Sequence, residues 1–96
     1  MTTTAITSQT TAATSSDIAI NSGSAIQIWT SPPLEPGETV ALYRYDGTSE
    51  EEAIIEDGVA LVVSDKMRSL LINGPISALR LKKSVTATAT AVYYDA

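Results

Sequence analysis

Gly37-Glu38-Thr39-Val40-Ala41-Leu42-Tyr43-Arg44-Tyr45-Asp46-Gly47 reads as a single strand held between two turns. Pro36-Gly37 opens it and Asp46-Gly47 closes it, both turn-forming pairs. The residues between are β-branched, aromatic and aliphatic, run at strand length and lack a helix cap. Val40, Leu42 and Arg44 point one way, and Ala41, Tyr43 and Tyr45 the other. Each face carries at least two apolar side chains, so this is expected to be a central strand covered on both sides.

Working outward, the remaining segments are shorter and are punctuated in the same way. Asp17-Ile18-Ala19-Ile20 and Ala25-Ile26-Gln27-Ile28-Trp29-Thr30 flank the turn cluster Asn21-Ser22-Gly23-Ser24 and read as a hairpin. Ser31-Pro32-Pro33-Leu34-Glu35-Pro36-Gly37 cannot donate to a ladder at its prolines and is expected to carry the chain from one sheet to the other. Downstream of the central strand, Thr48 to Glu52 is polar and acidic. Ala53-Ile54-Ile55 and Val59 to Val63 are strands joined by an Asp57-Gly58 hairpin turn. Met67 to Ile72 reads as a strand, with a short helix as the alternative; Asn73-Gly74-Pro75 stops it. In Ser77 to Lys83, Ala78, Arg80 and Lys82 face water while Leu79 and Leu81 face inward. Val85 to Tyr93 alternates for a full strand. About eight short strands at regular spacing predict an all-β fold, a compact β-sandwich of Greek-key or jelly-roll type.

Residues 1–16 are rich in Thr, Ser and Ala and carry no ionisable side chain. They read as a flexible N-terminal arm preceding a β-sandwich domain at residues 17–96. Such a composition buries too little apolar surface to offset its ordering entropy. The alternative is an arm that becomes a strand on a neighbour's edge, since Thr is a good β-former.

Composition narrows the chemistry. The 96 residues contain no cysteine and no histidine. Disulfide staples, thiolate metal sites and Ser-His-Asp or Cys-His catalysis are therefore excluded, and the commonest general base is missing. No catalytic, cofactor-binding or metal-ligating residue is assigned, and an enzyme is not expected. The net charge of −5 lies wholly on residues 17–96, which argues against a nucleic-acid partner. No apolar run approaches the roughly 20 residues that span a bilayer, and the N-terminus lacks the cationic start of a secretory signal. Glu50-Glu51-Glu52, with Glu56 and Asp57, reads as a solvated acidic turn that guards an edge, with a calcium loop as the alternative. Arg80, Lys82 and Lys83 form a basic cluster that could meet such an acidic patch on a second copy. Tyr43 and one of Tyr93 and Tyr94 read as core residues, and Trp29 as an exposed anchor. The candidate protein-interface residues are Ile6, Trp29, Tyr45, Arg80, Lys82 and Tyr94.

Two longer stretches, LEPGETVALYRYDGTSEEEAIIEDG (34–58) and LLINGPISALRLKKSVTATATAVYYDA (70–96), carry a resemblance. With the Ser/Thr-rich start, the chain resembles small all-β virion proteins of tailed bacteriophages, of the capsid decoration (cement) or head-fibre type. That resemblance covers residues 17–96 and rests on the order of strands and turns. It implies a homo-oligomer, a trimer before a dimer, made in the host cytoplasm and bound on the capsid surface to the major capsid protein or another virion protein. A carbohydrate- or host-binding module of a fibre is the alternative.

Overall fold

The computed structural model describes residues 2–45, 47 and 51–95; Asp46, Thr48 and Glu50, named above, lie outside the described residues. Among the described residues the chain forms twelve short strands and no helix. In order they are β1 (Thr2–Gln9), β2 (Ala13–Thr14), β3 (Ile18–Ile20), β4 (Ala25–Ser31), β5 (Val40–Tyr45) and β6 (Glu51–Ala53). They continue as β7 (Ile55–Glu56), β8 (Val59–Ala60), β9 (Val62–Val63), β10 (Ser69–Asn73), β11 (Ile76–Lys83) and β12 (Thr90–Asp95).

All ladders are antiparallel. The first sheet has the order β1-β12-β4-β10, and the second has the order β2-β11-β5-β6, with β3 also on β11 and β9 also on β5. The hairpin β7–β8 stands apart as its own small ladder. Its turn needs positive φ at two successive residues, and Asp57 (φ 53) and Gly58 (φ 77) supply them, as the Asp-Gly pair predicts.

β5 is the central strand that its sequence predicts, paired by β11 on one side and by β6 and β9 on the other. Val40 and Leu42 enter one aliphatic core with Val63, Leu79 and Leu81 from the same sheet. Ile6, Ile26, Ile28, Ile72 and Val92 join that core from the first sheet. Each such side chain contributes roughly 1.5–3 kcal/mol on burial. The other face of β5 is covered by cations, described below, rather than by more apolar surface.

Several expectations are corrected. Residues 2–9 lie on the chain's own sheet as β1, paired with β12, and residues 13–14 lie on the other sheet as β2. The free edge of β12 offers the template that a Thr-rich segment lacks alone, and Ile6, only 4% exposed, pins it. β3 and β4 are not a hairpin. The Asn21–Ser24 turn, closed by Ser24 N–H donating to Asn21 C=O (3.1 Å), passes the chain from the second sheet to the first. Val59 to Val63 breaks at Leu61, whose N–H donates to Ile54 C=O and whose C=O accepts from Leu42 N–H. The terminal strand starts only at Thr90. Before it, the hydroxyls of Thr86 and Thr90 both donate to Thr88 C=O (2.8 Å each), a local alternative to the ladder. Ser31 to Pro36 does connect the two sheets, and its Leu34 is buried.

Candidate functional site

Two outward faces gather the chain's polar and aromatic side chains. On the second sheet, the register sets Arg80 opposite Tyr43 and Tyr45 opposite Glu51. The Arg80 guanidinium donates through Nε to Asp17 Oδ1 and through an Nη to Glu51 Oε1, each at 2.6 Å. Lys82 Nζ pairs with the other oxygen of Glu51. The same two cations cap the rings: Arg80 lies 3.8 Å from the Tyr45 centroid and Lys82 lies 4.7 Å from that of Tyr43. Hydrogen bonds from Lys82 and then Arg80 hold the Glu51 carboxyl below its ordinary range, and the Asp17 and Glu51 carboxylates raise the Arg80 guanidinium.

This closes within one chain a contact that the sequence left open to a second copy. The acidic patch that Arg80 and Lys82 meet includes Glu51 of their own sheet. Lys83 does not join them. It points inward, is buried, and donates from Nζ to Thr11 C=O (2.8 Å) and Ser84 C=O (3.1 Å). Burial pushes its amine below the ordinary lysine range, and nearby Glu38 partly offsets this.

The outer face of the first sheet is different in kind. Cross-strand pairing lines up Thr4, Tyr93, Trp29 and Ser69 as one row over all four strands. Thr2, Asp95, Gln27 and Leu71 form the next row. Trp29 and Tyr93 sit in contact with ring centroids 6.0 Å apart and planes tilted by 30°. Both rings are half-exposed, and most of their neighbours in the two rows carry a hydroxyl, an amide or a carboxylate. The result is a surface of two half-exposed rings among hydrogen-bonding groups, and among the described residues no lysine or arginine is placed over either ring.

Of the residues singled out from the sequence, Tyr45, Arg80 and Lys82 share the second sheet's face, and Trp29 belongs to the first sheet's. Ile6 is spent in the chain's own core, and Tyr94 packs against that core. Sequence alternation leaves Tyr93 open between core and surface, and the register of β12 against β4 makes it the partner of Trp29. The alternation of the central strand marks Arg44 only as a strand residue, whereas in the fold it lines a cavity. Among the described residues no group of three or more Asp or Glu side chains is placed to hold a metal ion. Comparison with known protein families, characterised proteins and solved structures finds no match.

Proposed function

We propose that this chain is a structural, non-catalytic virion protein of the capsid-decoration kind, its two sheets forming a β-sandwich that docks on an assembled shell. The observation that carries this reading is the half-exposed pair of rings, Trp29 and Tyr93, on the outer face of the first sheet. Aromatic side chains of this kind dominate protein interfaces when they become fully desolvated. The resemblance of residues 17–96 to small phage virion proteins supplies the partner, the major capsid protein. Binding to the assembled form alone stabilises that form by mass action, and repeated copies on a symmetric shell multiply a weak contact. Capsid shells assembled without this protein, mixed with it and sedimented, provide the test. Wild type is expected in the pellet, with Trp29→Ala weakened about tenfold or more. Wild-type protein left entirely in the supernatant would sink the proposal.

A second reading is favoured by the same face. Two neighbouring rings edged by Thr4, Ser69 and Gln27 also suit a sugar ring, which stacks on aromatic faces and takes hydrogen bonds at its rim. The chain has one tryptophan, so its fluorescence reports on this face directly. A shift on titrating glycans, with no shell binding, selects a carbohydrate-binding module.

A further inference from the structure

Beside the β7–β8 hairpin lies a cavity of about 240 Å3. Six of its nine lining residues are aliphatic, Ile54, Leu61, Leu71 and Ile76 among them, while polar atoms make up the larger part of its exposed surface. Leu71 on β10 is 66% exposed and Ile55 on the hairpin is 63% exposed, which leaves an apolar rim open to solvent. Arg44 also lines the cavity, from the last turn of the alternation that buries Val40 and Leu42. The Arg80 guanidinium holds two carboxylates; that of Arg44 makes no hydrogen bond or ion pair with any described residue.

The cavity also borders a sheet edge. β10 ends the first sheet and, among the described residues, pairs with β4 alone. Its sequence, Ser69-Leu70-Leu71-Ile72-Asn73, has neither the charge nor the proline that usually guards an edge. A cavity of this size is smaller than pockets that enclose a whole small ligand, but it accepts side chains from a strand. Inward-pointing side chains of a strand laid along β10 reach the space between the sheets.

We infer that the β10 edge and its cavity bind an extended segment of a partner protein, with an aliphatic side chain in the cavity and a carboxylate on Arg44. Backbone bonds to β10 supply affinity, and the two side-chain subsites supply selectivity. Glu56 lines the same cavity from β7 and Glu52 lies opposite Arg44 on β6, so an incoming carboxylate is favoured on the side away from both. The first sheet's own edges, β1 and β10, contain no carboxylate, so a second copy paired through either of them does not satisfy Arg44. The inference does not depend on the virion assignment.

A displayed library of random dodecapeptides, selected on the immobilised full chain, tests it. Enriched peptides are expected to alternate aliphatic residues around an Asp or Glu. Bound peptide should shift backbone amide resonances of residues 69–73. Arg44→Gln, or glutamine at the peptide's acidic position, should weaken binding about tenfold or more, the scale of one charged hydrogen bond. Arg44 is exposed, so thermal unfolding of Arg44→Gln should match wild type. Any of three results overturns the inference: no enrichment, peptides that bind Arg44→Gln equally, or shifts confined to Trp29 and Tyr93. Binding of octanoate at β10 without any peptide, or self-association through β10, overturns it as well by naming a different occupant.

Discussion

Gly74 is the position where a single methyl group should do most damage. A Cβ built there meets the backbone oxygen of Asn21 most closely, then the oxygen of Ile20 at 2.7 Å and its Cγ2 at 2.8 Å. Two of the three obstacles are main-chain carbonyls and cannot rotate aside. Overpacking of this kind costs about 1–3 kcal/mol, and rigid obstacles place Gly74→Ala near the upper end. Moving the turn apart also strains the bond from Gly74 N–H to Ser24 C=O (2.9 Å), which is worth about 1 kcal/mol. Reduced freedom of the unfolded chain returns about 0.4–1 kcal/mol. The net loss is therefore about 3 kcal/mol, out of roughly 5–14 kcal/mol for a chain of this length. That should lower the thermal midpoint by roughly 10–25 °C. Urea unfolding followed by tryptophan fluorescence measures it, with Gly37→Ala as the comparison. Gly37 has open space around it and suffers only from its φ of 87°, a cost of about 1–2 kcal/mol. A Gly74→Ala protein within about 0.5 kcal/mol of wild type, or no worse than Gly37→Ala, would refute the close approach of the two turns.

Three further outcomes are expected. Ile6→Ala should cost about 2–3 kcal/mol in denaturant unfolding, because β1 completes the core; a free arm predicts no change. Glu51 and Glu38 sit below the ordinary carboxylate value of 4.5, Glu38 through N–H donors of Glu35 and then Ala87. Their stabilisation is full above pH 4.5 and is lost as pH falls through their lower folded values. Glu51→Gln should therefore flatten the acid limb of a stability–pH curve, and an unchanged limb speaks against the Arg80–Glu51–Lys82 cluster. Lys83 titrates below 10.5 in the folded chain, so its charged form opposes folding at neutral pH and the opposition lifts as pH rises toward 10.5. Lys83→Met should remove that alkaline gain, measured as the difference between the two proteins' stability–pH curves.

The central strand was legible because both of its signals are local. Pro36-Gly37 marks its start, and the alternation from Val40 to Tyr45 assigns its faces. The Asp57-Gly58 turn and the inward Leu79 and Leu81 were legible for the same reason. Partnership was not legible. β3 and β4 sit either side of a good turn, yet that turn crosses between sheets, and only the shared core decides it. The Thr-rich start looks disordered because its stabilising partner, β12, lies at the far end of the sequence. Thr86 and Thr88 continue a perfect strand alternation on paper; hydroxyl-to-carbonyl bonds, invisible to periodicity, divert them. The pairing of Trp29 with Tyr93 depends on strand register, and the place of Arg44 at the cavity depends on how the two sheets pack.

The register of β1 has a mechanical consequence. Thr2 lies opposite Asp95, so the two ends of the described chain leave from the same corner. Tension applied across those ends loads the β1–β12 ladder one rung at a time, as a zip is opened, and not all rungs together. The domain should therefore yield at low force from this corner, shedding β1 first, while resisting loads applied across its faces. The same proximity lets a short linker join residues 2 and 95, so new ends can be cut into an exposed turn such as Asp57-Gly58 without rerouting any strand.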